Sequence, residues 1–575
     1  MTLSAGLRRL AGRLLPRSAV AGDASPRTPG VSPVGRGRAR RAVGAVLAVG
    51  LVYAVLVGPD RLGELTPGAF LRIPLEGLLV AALLLALPAR PRRVVVAVVG
   101  PLLGLLAIVK LADLGFRTAL DRPFDLVLDW LLLDDAFGFV RDSAGRAGAV
   151  GAAVGAVVLI GVLLLVTTVA LRRVAALLVH HERAATRAVA ALTVAWVVCA
   201  VAGVRIVPGV PVADTGVTAL VGAHAEQVDA RLRDRERFTA QIAADPFQDV
   251  PGDQLLTGLR GKDVVLAFVE SYGRDAIEDP ELAPQVNAVL DGGTERLRAA
   301  GYEARSGFLT SPTFGGGSWL AHDTLLSGLW TDNEQRHRSL LASDRLTLNG
   351  AFRRAGWQTV GVLPAATQPW PEQGFFSYDR YYDAEAMGYR GPKFSYAPMP
   401  DQYTLSFFQR TVRADADRPI MAEIPLISSH SPWTAVPRMI GWDQVGDGSV
   451  YRGQAAEDGG DAEDTGRARA GYRQAIAYSL ETLVSYLRTY GDDDLVLVFL
   501  GDHQPAPVVT GEGASRDVPI TIVARDPAVL DRVSGWGWQP GLRPGPDAPV
   551  WPMDTFRDRF LTTFGPSTPP IAAPR

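Results

Sequence analysis

Residues 495–503 read LVLVFLGDH: six apolar residues, a glycine, then an acid and an imidazole. An unbroken apolar run of that length reads as a strand buried on both faces, as in a parallel sheet covered by helices. Two further stretches repeat the pattern. Asp263–Val269 (DVVLAFV) runs into Glu270, and residues 420–427 (IMAEIPLI) run into Ser428, Ser429 and His430. From residue 261 onward strand-like and helix-like segments alternate, which predicts an α/β domain with a largely parallel sheet. In such open sheets ligands bind beyond the carboxyl ends of the strands. Glu270, His430, Asp502 and His503 are therefore expected along one edge. Carboxylates with imidazole suit Mn²⁺ or Zn²⁺ better than Ca²⁺, which prefers all-oxygen shells.

A metal site needs something to act on. Residues 310–328 read TSPTFGGGSWLAHDTLLSG. Gly316 and Gly317 let the backbone approach an anion closely. Ser318 follows at a helix start, where free N–H groups and the helix dipole favour phosphate or sulfate. A serine there can be a plain N-cap, or a nucleophile when a bound metal acidifies it. Thr313 is the competing hydroxyl and precedes the glycines. His322, four residues after Ser318, shares its helix face, as an acid or donor to substrate or as a packing residue.

Outward from this half, the chain changes character. It has 575 residues, enough for at least two units. The net charge of −2 gives no reason to expect a nucleic-acid partner. The single cysteine, Cys199, excludes an intramolecular disulfide or a cysteine-based zinc site. Five apolar runs, at 42–58, 70–88, 93–111, 148–170 and 187–207, are candidate membrane spans. Arginines crowd the N-terminal tail, the 2–3 loop (Arg90, Arg92, Arg93) and the 4–5 loop (Arg172, Arg173, Arg183, Arg187). Aspartates fill the 3–4 loop. The positive-inside rule then predicts a cytoplasmic N-terminus and everything after about residue 208 outside. The expected organisation is a disordered basic tail (1–41), a five-helix transmembrane domain (42–207), a helical connector (208–260), a catalytic domain (261–540) and a Pro-rich segment (541–575). Residues 443–468, rich in Gly and acids, read as a mobile loop.

Together these motifs resemble the sulfatase-like branch of the alkaline phosphatase superfamily, and within it the lipoteichoic acid synthase-type phosphoglycerol transferases. The shared order is strand-Glu-Ser, a Gly-rich nucleophile loop, Ser-His-x-Pro, then Gly-Asp-His. The resemblance implies an all-α membrane bundle followed by an extracytoplasmic sulfatase-like domain. It implies one divalent ion, Mn²⁺ with Zn²⁺ or Mg²⁺ as alternatives, held by Glu270, Ser318, Asp502 and His503. It makes Ser318 the nucleophile, closed by Leu326-Ser327-Gly328, and His430 a substrate contact. The implied partners are the bilayer and a membrane lipid or envelope glycopolymer.

Two departures matter. After Ser318 come Trp319, Leu320, Ala321 and His322, without the Pro and Arg that direct formylglycine formation in sulfatases. Where the family holds lipid phosphate with Trp-x-Arg, this chain has Trp370-Pro371-Glu372, and Glu372 repels what Arg would bind. The implied activity is a phosphotransferase or phosphodiesterase. Its alternatives are a phosphoethanolamine-type transferase, a phosphatase or sulfatase-like hydrolase, and an inactive envelope sensor or scaffold.

Overall fold

The computed structural model describes residues 33–207, 210–367, 371–394, 397–433, 436–454 and 465–566. Five apolar helices come first: α1 (Pro33–Val57), α2 (Leu75–Ala86), α3 (Ala89–Leu120), α4 (Leu133–His180) and α5 (Glu182–Ala202). They fall where the five apolar runs were read, but only three are long and apolar enough to cross a membrane: Ala89–Leu120, Gly145–His180 and Glu182–Ala202. The apolar parts of the other two, Ala42–Val57 and Leu75–Ala86, are shorter. The run read at 70–88 is cut back because Arg72 pairs with Asp214 at 3.5 Å and stays off the helix. Lys110, inside α3, donates to the carbonyls of Val55, Leu56 and Gly58, the open C-terminal end of α1.

The 3–4 segment is not the solvated acidic loop its composition suggests. Asp113, Asp125 and Asp129 are buried. Each has a partner that offsets the burial: His224 for Asp113, Arg231 for Asp125, and Arg122, in a two-bond fork, for Asp129. His224 and Arg231 lie on α6 (Gly216–Ala243), the helix that leads from the bundle to the C-terminal half. At its far end Asp234 takes two bonds from Arg336 of the catalytic domain.

The C-terminal half is built on a nine-stranded sheet among the described residues. Its strands are β1 (Asp263–Val269), β2 (Glu303–Thr310), β3 (Gln358–Val362), β4 (Arg380–Tyr382), β5 (Ile420–Leu426), β6 (Leu495–Gly501), β7 (Asp517–Ala524), β8 (Gln539–Pro540) and β9 (Val550–Pro552). The order is β8-β2-β7-β6-β1-β5-β3-β4, with β9 also on β2. From β6 to β4 all pairings are parallel, and β7 runs against both its neighbours. Side chains of β1 alternate between two cores. Val265, Ala267 and Val269 meet α7 (Ala283–Ala299) and α9 (Thr465–Tyr490). Val264, Leu266 and Phe268 meet α8 (Ser318–Ser327) and α10 (Phe556–Thr563). The segment set apart as 541–575 thus joins this core up to Thr563: Phe556 and Phe560 are buried, and Arg557 forks onto Asp245.

Register brings the chemistry to one edge. Gly501 of β6 pairs with Val269 of β1, which pairs with Leu426 of β5. The residues that follow all three strands therefore emerge side by side.

Candidate active site

Glu270 follows β1, and Asp502 and His503 follow β6. All three are buried, and one ligand atom from each lies within 4.8 Å of the others. Ser271, the serine of the strand-Glu-Ser motif, shapes this corner. Its φ of +57° turns the chain sharply. Its N–H donates to Asp502 Oδ1 at 2.7 Å and its hydroxyl donates to Glu270 Oε1 at 2.8 Å. The backbone of each carboxylate residue is also fastened, Glu270 by Ser429 Oγ and Asp502 by Ser311 Oγ, each donating to the carbonyl at 2.6 Å. His503 Nδ1–H donates to the Gln504 carbonyl at 2.8 Å, which leaves Nε2 to face the carboxylates.

The Gly-rich loop leaves β2 and returns at α8. Gly317, at φ +77°, caps that helix in the left-handed region, and Ser318 is its first residue. The cap position is thus filled by glycine and not by serine. Ser318 Oγ instead donates to Glu270 Oε2 at 3.0 Å and lies 3.2 Å from His503 Nε2. Thr313 turns the other way and donates to the Gly316 carbonyl, bracing the loop. Gly315, at φ +72°, has its α-carbon against the end of α3: a Cβ there would collide with the Ala119 carbonyl oxygen. The apolar bundle and the Gly-rich loop thus approach each other at the backbone.

The remaining sequence candidates divide. His430 follows β5 at the same sheet edge, where, after burial, it is the leading influence on Glu270 and lowers that carboxyl. His322 is anchored by Glu423: Nδ1 lies 2.8 Å from Oε1, and the ring stacks on Phe268 at 3.7 Å. Trp370 lies outside the described residues, as does the side chain of Glu372. Glu423 was missed, although an acid inside the apolar run 420–427 was the available signal.

Charge explains what the cluster can hold. Burial would raise Glu270, but His430 and His503 outweigh it and keep the carboxyl low. Asp502 is raised, by burial first and then by Glu270's charge. Burial would lower His503, yet the two carboxylates push it up. Two buried anions that oppose each other, with one imidazole Nε2 directed at both, make a donor set that fits a divalent cation of the Mn²⁺ or Zn²⁺ kind.

Residues 262–516 match the sulfatase family model. No curated protein matches the chain. Among solved structures, the phosphoethanolamine transferase EptA from Neisseria meningitidis is 15% identical, with 90% of this chain and 95% of that one covered at a TM-score of 0.42. The lipoteichoic acid synthase LtaP from Listeria monocytogenes is also 15% identical, covering 54% and 74% at 0.36. The phosphoglycerol transferase GacH from Streptococcus pyogenes is 12% identical, covering 58% and 90% at 0.33.

Proposed function

We propose that this chain is a membrane-anchored, metal-dependent phosphotransferase or phosphodiesterase that works on lipid headgroups or envelope polymers, with Ser318 as nucleophile. One observation carries the reading: Ser318 Oγ stands between Glu270 Oε2 and His503 Nε2, inside a buried acid–imidazole cluster. Glu270, Asp502 and His503 would hold the divalent ion, which when bound acidifies a neighbouring hydroxyl and offsets phosphate charge. Ser318 Oγ forms the new bond to phosphorus, and its proton leaves toward the acceptors it already faces. The backbone of Gly316 and Gly317 can approach the phosphate oxygens without a side chain between. His430 supplies a proton to the departing alcohol oxygen. An acceptor alcohol, or water, then displaces the serine and restores its hydroxyl. His322, fixed by Glu423, is a positioning or donor group on the same helix face.

The arginine-rich loops support a topology in which the catalytic half lies outside the cytoplasm. A reporter active only outside the cytoplasm, fused after residue 260, should give signal; a silent reporter there would contradict the topology. For the chemistry, lipid mass spectrometry after expression in a membrane system should show a headgroup change with wild type and none with Ser318→Ala. Identical lipid profiles from the two would overturn the assignment.

A further inference from the structure

The carbonyl oxygen of Gln504 has two donors. His503 Nδ1–H reaches it at 2.8 Å and the Gly315 N–H at 2.9 Å. The first bond sets the tautomer and direction of the imidazole, so that Nε2 is the nitrogen facing Glu270 and Asp502. The second holds the Gly-rich loop three residues before Ser318. One oxygen therefore places both the imidazole of the acid–imidazole cluster and the serine whose Oγ lies 3.2 Å from it.

A backbone carbonyl is only as well placed as the residue that carries it. Gln504 is buried, and its Nε2 donates to Asp275 Oδ1 at 3.0 Å. Its Oε1 lies against Gly273: a Cβ there would come within 1.7 Å of Oε1 and 2.9 Å of the Gln504 Cα, so any larger residue at 273 would push Gln504 away. Oε1 has no donor among the described residues. A buried polar atom without a partner is costly, and an apolar side chain of the same length would avoid that cost. What only the amide can make is the bond to Asp275. Gly273 and Asp275 lie three and five residues after Glu270, beyond the corner that Ser271 turns. The Gln504 side chain thus ties the end of β6 to the segment that follows β1, while its carbonyl ties both to the loop from β2. The segments that carry Glu270, His503 and Ser318 meet at this one residue.

We propose that Gln504 is a positioning residue that aligns the metal ligand His503 and the nucleophile Ser318 together, and that Asp275 locks it through the amide. Asp275 contributes an acceptor oxygen, not a charge. The proposal rests on the reading that Glu270, Asp502 and His503 hold the divalent ion.

The test measures Mn²⁺ binding to the full-length protein in nanodiscs, by competition with a metal-sensing dye and by the electron paramagnetic resonance of the bound ion. Asp275→Ala and Gln504→Met each break the lock. Each should weaken Mn²⁺ binding at least about tenfold and alter the resonance, as loss of an outer partner of a ligating histidine does. Asp275→Asn keeps an acceptor for the amide and should bind like wild type. A merely structural bond would lower the melting temperature and leave the affinity alone. Wild-type affinity in either Asp275→Ala or Gln504→Met therefore overturns the positioning role. An Asp275→Asn variant as weak as Asp275→Ala also overturns it, because the charge and not the bond would then matter. Wild type that takes up no Mn²⁺, or a His503→Ala variant that holds it as tightly, overturns the metal reading itself and this proposal with it.

Discussion

Two buried carboxylate–histidine clusters lie on neighbouring strands, and they are finished differently. Glu423, inside β5, has both oxygens served: His322 on Oε1, and Asn349 and Tyr378 on Oε2 at 2.8 and 2.6 Å. Burial alone would raise its pKa, yet these bonds bring it below the ordinary value. Glu270 and Asp502 instead oppose each other, and Asp502 is pushed up, by burial first and by Glu270's charge next. A network whose members satisfy one another holds structure in place. The proposed cation would complete the second network, in which two buried carboxylates face each other.

The sharpest way to break that contrast is to substitute both sides. Asp502→Asn should lose the bound divalent ion and essentially all turnover, a larger effect than the roughly 10–100-fold typical of outer-shell changes to metal sites. Without metal it should melt at or above the metal-free wild type, because one of two opposed charges has gone. Elemental analysis and thermal melts decide this; retained metal, or a strongly destabilised metal-free variant, would mean the cluster is structural like its neighbour.

Glu423→Gln should behave oppositely. It keeps the metal but loses about 1–3 kcal/mol of stability, because an amide NH₂ must then face His322, Asn349 or Tyr378. The sign of its pH dependence follows from the lowered pKa. Stability from Glu423 is full above the unfolded glutamate value of about 4.3 and is lost as pH falls toward the depressed folded value. Denaturant titrations from pH 6 to 3 should show a shallower acid limb in the variant; parallel curves would remove Glu423 from the account.

Which parts of this contrast could be read in the sequence is itself physical. Glu270, Asp502 and His503 were legible because each directly ends an apolar run, and parallel register brings strand ends together. Ser318 was legible from the three glycines before it. The Glu423 network was not, because Asn349 and Tyr378 come from segments whose proximity only the fold creates. The same holds for the bundle: composition marked five helices, but not that Asp113, Asp125 and Asp129 turn inward to α6, nor that Ala119 touches Gly315.

The smallest effect separates the two hydroxyls of the nucleophile loop. Thr313→Ala removes one bond to the Gly316 carbonyl, worth about 1 kcal/mol, and should leave turnover within a few fold of wild type. Complete inactivation would instead make Thr313 the reactive group.

The account stands or falls on a covalent adduct at Ser318. Metal-loaded protein mixed with a chromogenic phosphodiester and quenched in acid should carry the transferred phosphoryl group on the peptide containing Ser318. Ser318→Ala, still folded and still metal-bound, should carry none and turn nothing over. If Ser318→Ala releases chromogen at the wild-type rate, the serine is not the nucleophile and the central assignment is wrong.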